Sequence, residues 1–195
     1  MPSEESITEL LRAASAGDTR ARDRVIPLLY EELHSSAHRA LARVRRGGTL
    51  NTTALVHEAY LKLFKSPRPG YDDRNHFHAV AAKVMRQVLV DYARQRHTLK
   101  RGEGQQAVSI ERVEIASAAP NEEILAINEA LETLAADFPR LVQVVELRYF
   151  AGLSVEEAAS ALGVSERTVK HDFQKARALL LHLLGASASN AQGGE

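Results

Sequence analysis

The chain has 195 residues, 45% of them hydrophobic and 26% charged, and its 25 basic and 25 acidic side chains balance to a formal net charge of zero. That length suits one large domain or two small ones with a buried core, and the balance argues against a generally adhesive polyanion binder. The absence of cysteine excludes disulfides and thiolate metal sites; the acidic start Met1-Pro2-Ser3-Glu4-Glu5 is no secretory signal, and no apolar run approaches the ~20 residues of a membrane span, so a soluble cytoplasmic protein is expected.

The periodicity predicts helices throughout. Ser6 and Glu9 have capping-box spacing, and Ile7, Leu10, Leu11 and Ala14 form one apolar face. Gly17-Asp18 interrupts the chain. Val25, Leu28, Leu29 and Leu33 mark a second amphipathic helix that continues through Ala37, Leu41 and Val44 to a stop at Gly47-Gly48. A third helix is expected over 53–64, burying Leu55, Val56, Ala59, Tyr60 and Leu63. Prolines and glycine make 66–70 a loop. A long fourth helix, 75–96, carries the stripe Phe77, Val80, Ala81, Val84, Val88 and Tyr92.

From 102 to 120 periodicity is lost, which predicts a linker. Asn121 is then expected to cap a helix with Glu122 and Glu123 in its first turn and Ile124, Ile127, Leu131 and Leu134 inside. Asp137-Phe138-Pro139 starts another, reaching Phe150. Residues beyond 185 are small and polar and are expected to be disordered. The charge is segregated: Arg39, Arg43, Arg45 and Arg46 form one basic group, Arg94, Arg96, Lys100 and Arg101 a second, and Arg167, Lys170, His171, Lys175 and Arg177 a third.

The most informative segment is 153–184. Ser154 with Glu157 has capping-box spacing, and Val155, Ala158, Ala159 and Leu162 face inward. Gly163 suits a turn needing positive φ, Val164 plugs the core, and Ser165 caps a second helix. On that helix Val169, Phe173, Ala176 and Leu180 point inward. Arg167, Thr168, Lys170, His171 and Gln174 form an outward polar face suited to base edges and phosphates. The pattern predicts a helix-turn-helix; the bland reading is a helical hairpin with a solvated charged face.

The run Val144 to Ala159, with Leu162-Gly163-Val164-Ser165 and Thr168-Val169-Lys170, resembles the C-terminal domain of the extracytoplasmic-function (ECF) sigma factors of the sigma-70 family. Phe77, Ala79, Arg86, Leu89, Asp91 and Arg94 resemble the family's long helix, with Val80 replacing the usual tryptophan. Leu55-Val56, Glu58, Tyr60-Leu61 and Leu63 resemble its polymerase-binding helix.

The resemblance implies an all-α protein of two helical domains joined by a flexible linker. Residues 1–101 would bind core RNA polymerase and the −10 element, 102–120 would link, 121–185 would read the −35 element, and 186–195 would be a disordered tail. It implies a factor that directs core polymerase to specific promoters and assists melting, with no chemistry or cofactor of its own. Polymerase contacts would come from Leu55, Val56, Glu58 and Tyr60, docking on the clamp coiled coil. Contacts to the −35 element would come from Arg167, Thr168, Lys170, His171, Gln174, Lys175 and Arg177. The melted −10 strand would meet Tyr71, Asn75, Phe77, Arg86, Arg94 and Arg96. Tyr71, Phe77 or Tyr92 suit base stacking, while Phe77 and Tyr92 equally suit the core.

One departure stands out. Where the family carries an acidic Asp-Ala-Glu-Asp run, this chain has Asn51, Thr52, Thr53 and Ala54. Losing that charge weakens docking on a basic clamp surface. Phosphorylation of Thr52 or Thr53 would restore it, which makes a Ser/Thr protein kinase an expected partner; the plain alternative is that a threonine only caps the helix. Free in solution, the protein is expected to be a monomer. A helix-turn-helix repressor acting without polymerase is the alternative function. A metal-dependent enzyme using His34, His38, Glu31, Glu32, His76 and His78 is more remote.

Overall fold

The computed structural model describes residues 4–44, 52–64, 70–101 and 119–192, all built from helices and turns. The N-terminal lobe holds α1 (Glu4–Ser15), α2 (Thr19–Val44), α3 (Thr52–Leu63) and α4 (Arg74–Arg101). The C-terminal lobe holds α5 (Ala119–Ala135), α6 (Pro139–Val145), a π-helical segment (Glu146–Phe150), α7 (Val155–Leu162) and α8 (Glu166–Gln192). Among the described residues no helix is long and apolar enough to cross a membrane.

Several boundaries differ from the periodicity. Helix α1 already runs through Ser6, so that serine is not its cap. Helix α5 starts before Asn121, because Pro120 in a first turn forfeits no helical hydrogen bond. Helix α4 continues past Arg96 to Arg101, and α8 passes Gly185 to reach Gln192. Most of the expected linker, 102–118, lies outside the described residues, as do the Gly47-Gly48 stop and the loop from Lys65 to Pro69.

Helix α4 is the axis of the molecule. It packs against α1 and α3 on one side and against α5, α7 and the π-helical segment on the other. The expected stripe accounts for Phe77, Ala81 and Val88, but Ala82, Met85, Leu89, Val90 and Ala93 are buried too. A helix buried on most of its circumference has lost the one-sided pattern that periodicity detects. One contiguous core therefore runs from Leu11, Leu29 and Leu55 through Phe77 and Met85 to Leu131, Leu147, Phe150 and Val169.

Charged groups brace the N-terminal lobe. Arg74 Nε donates to Glu32 Oε1 at 2.7 Å, joining the start of α4 to α2. The other oxygen, Oε2, lies 3.3 Å from His78 Nε2 without an aligned hydrogen bond. Burial pushes the Glu32 carboxyl up, but His78 and Arg74 outweigh it and hold the group below its usual range.

Candidate nucleic-acid interface

Helix α7 starts at Ser154, whose hydroxyl accepts from Glu157 N while the Glu157 carboxylate accepts from Ser154 N, so the capping box forms as its spacing requires. Gly163 ends the helix at φ 64°, the left-handed conformation that glycine adopts without a Cβ penalty. Ser165 Oγ then accepts from Thr168 N at 3.1 Å and starts α8.

Val169 and Ala176 on α8 are fully buried, and Phe173 and Leu180 are half-buried against the core. That anchoring turns the opposite face outward. Arg167, Lys170, His171, Gln174, Lys175 and Arg177 are exposed, and Thr168 is half-buried beside them. The residues expected to meet the −35 element thus share one surface. Within the helix Lys170 lies 3.2 Å from Glu166.

A groove beside α8 adds residues that the pattern did not signal. It is walled by Phe138 and Arg140 on one side and by Arg167, Lys170, His171 and Lys175 on the other. The Lys175 ammonium lies 4.7 Å from the centre of the Phe138 ring. Arg140 Nε donates to Asp172 Oδ2 at 2.7 Å, and His171 Nδ1 lies 3.4 Å from Oδ1. Burial raises the Asp172 carboxyl, but Arg140 and His171 together hold it below the ordinary range. Asp172 therefore stays ionised under a cationic surface.

The residues assigned to the −10 strand do not come together on one open face. Phe77 is fully buried. Tyr71 is buried with its hydroxyl donating to Leu63 O at 2.9 Å, and burial pushes its phenol up to about 12. Both rings belong to an aromatic stack with Phe64, so in this conformation neither offers a face to a base. Arg86 donates to Asn128 and Glu146, and Asn75 accepts from Ser160, all in the C-terminal lobe. Arg94 is exposed. Arg96 is half-buried, its Nε donating to the Tyr92 hydroxyl at 3.1 Å and its guanidinium 5.4 Å from that ring.

On α3, Leu55 and Val56 are fully buried and Tyr60 is half-buried, packed 4.7 Å from Phe64 and 5.8 Å from Tyr30. The outward face is Thr53, Ala54, His57, Glu58 and Leu61, the last 51% exposed. Thr52 is half-buried and Thr53 exposed at the helix start, and the first turn has no acidic side chain. Elsewhere His34, His38 and His76 are exposed. Among the described residues no three metal-ligating side chains of the rival reading gather at one point.

An all-helical body that anchors one helix by its apolar face and turns a cationic, amide-bearing face outward defines the class of a nucleic-acid-binding regulator. The particular family follows from comparison. The family model described as ECF sigma factor matches residues 4–184, and the chain belongs to that family. It is therefore a sigma factor of transcription initiation, whose partners are core RNA polymerase and promoter DNA. Comparison with curated proteins and with solved structures yields no match.

Proposed function

We propose that this sigma factor directs core polymerase to specific promoters through the outward face of α8, which reads the −35 element as duplex, and through α4, which receives the melted −10 strand. The observation that carries the reading is the α7–α8 unit: a capped, glycine-turned hairpin whose second helix buries Val169 and Ala176 and exposes Arg167, Lys170, His171 and Gln174. Arginine, lysine and glutamine on one helix face match the donor and acceptor pattern of a major groove.

The same reading includes a charge switch on α3. Its first turn lacks the acidic groups of the family pattern, while Thr53 is exposed there. A phosphate at this position adds roughly −1.5 to −2 charges at a helix N-terminus, where the dipole favours it. A Ser/Thr kinase then raises affinity for the clamp. Run-off transcription with core polymerase, comparing the wild type with a Thr52→Asp/Thr53→Asp variant, tests it. The acidic variant is expected to initiate at lower concentration. Equal activity of the two proteins, with no gain on kinase treatment of the wild type, removes the switch.

A further inference from the structure

Neither capping nor core packing accounts for the ring of Phe138. The residue occupies the N-cap position of α6, where Ser, Thr, Asp or Asn is favoured, and its side chain makes no capping bond. It is 36% exposed and stands outside the contiguous core. Its backbone, in contrast, is fixed. Phe138 N donates to Leu134 O at 2.9 Å, Phe138 O accepts from Val142 N at 3.3 Å, and Pro139 restricts the chain on both sides of the bond between them. The corner Asp137-Phe138-Pro139 therefore holds a phenyl ring on rigid backbone beside α8.

The Lys175 ammonium lies over that ring, 4.7 Å from its centre. The attraction comes from the ring quadrupole and brings no negative charge with it. A carboxylate partner would also hold the lysine, but it would neutralise it. Asp172, about one turn back on the same helix, is already taken: Arg140 Nε donates to it at 2.7 Å and His171 Nδ1 lies 3.4 Å away. Lys175 is thus held by an uncharged partner at a groove whose α8 wall also carries Arg167, Lys170 and His171.

We propose that Phe138 is a positioning residue for duplex DNA: its ring sets the Lys175 ammonium at the edge of the groove, with its charge intact, to receive a phosphate of the −35 element. The proposal rests on the assignment of α8 to that element made above. An ammonium has several N–H donors, so those turned away from the ring remain available to an acceptor. A lysine on a flexible stem must be ordered before it holds a phosphate, and an ammonium already set on a ring has that cost reduced in advance. The contact is exposed, so the gain in affinity is modest, about 2–5-fold. A phosphate contact carries no base information, and the gain therefore extends to every duplex.

The test is a double-mutant cycle on the full chain, read by fluorescence anisotropy with two unrelated duplexes of equal length, one of them from upstream of its own gene. Phe138→Leu keeps an apolar side chain and removes the quadrupole. With Lys175 present it is expected to weaken binding to both duplexes about 2–5-fold; in a Lys175→Ala chain it is expected to change binding by less than about 1.5-fold. Phe138→Trp is expected to bind at least as tightly as the wild type, because indole is the stronger ring for a cation.

A ring that only shapes the corner of the chain would give equal losses in both backgrounds, and that result overturns the proposal. So does the absence of any loss in Phe138→Leu, or a Phe138→Trp chain that binds as weakly as Phe138→Leu. Lys175→Ala binding as tightly as the wild type removes Lys175 as the phosphate contact and overturns the proposal while leaving α8 on DNA. Failure of the wild type to bind either duplex overturns the reading of α8 beneath it.

Discussion

Arg140 reaches from the first turn of α6 to the buried Asp172 of α8, its Nε donating to the carboxylate at 2.7 Å. Asp172 is 4% exposed at its side chain and Arg140 58%. The arginine thus covers a buried anion and ties α8 to α6.

Arg140→Ala should cost about 1–2 kcal/mol, a figure discounted because the guanidinium is largely solvated. The sign of its pH dependence follows from Asp172. A carboxyl held below its ordinary 3.8 contributes stability that is complete above that value and vanishes as pH falls through the depressed one. Thermal melts from neutral to acid pH should show the deficit of the variant constant down to about pH 5 and shrinking below it. A deficit that grows on acidification contradicts the pairing.

Glu32→Gln should destabilise by roughly 2–3 kcal/mol, below the 3–5 of a fully buried pair because Glu32 and Arg74 keep some solvent contact. Hydrogen exchange should quicken where α2 meets the start of α4 and remain slow in α8. The stabilisation by Glu32 is present above its ordinary 4.5 and lost as pH drops through its lowered value, so the two proteins should converge in acid. A loss under about 0.5 kcal/mol at neutral pH contradicts this account.

Two glycines separate strain from space. Gly163 has φ +64° with nothing within 4 Å of an added Cβ; Gly152 has φ +65° with the α2 backbone at 2.7 Å. Gly163→Ala should cost about 1 kcal/mol, the left-handed penalty alone. Gly152→Ala should cost about 1–3 kcal/mol more, from overpacking against α2. Urea titrations of both check it; equal losses would mean that α2 does not press on Gly152.

On α8, Gln174→Ala should relax sequence preference with little change in salt dependence. Lys175→Ala should weaken all duplexes alike and lower the slope of log K against log salt by about 1. Fluorescence anisotropy across a salt series distinguishes the two. The same slope change for both would mean that Gln174 reads no base.

The parts of the molecule legible in its sequence are those whose signals are local. Ser154, Glu157, Gly163 and Ser165 specify a capped turn by spacing alone, and Val169 with Ala176 orients the helix that follows. The acidic gap at Asn51 to Ala54 is equally plain. What escaped is long-range. Arg86 reads as a free cation until Asn128 and Glu146, 42 and 60 residues away, are brought to it. Arg140 and Asp172 are 32 residues apart and look like ordinary surface charges. Helix α4 shows the same limit: Ala82, Val90 and Ala93 have no apolar stripe of their own, yet all three are buried in a helix packed on both sides. Phe77 could be read as a base-stacking or a core residue and Tyr71 as a stacking one; both are buried, with Tyr71 packed between Phe64 and Phe77 in this conformation.

The central claim is that the outward face of α8 steers core polymerase to a promoter. The most direct measurement is run-off transcription by core polymerase from the promoter upstream of the gene for this protein, with the Thr52→Asp/Thr53→Asp chain added alone or also carrying Lys170→Ala and Gln174→Ala. A discrete transcript that depends on the added protein, and falls at least ~10-fold with the α8 substitutions, is the predicted result. Tight binding to intact duplex with no transcript, and no binding to core polymerase, would contradict it.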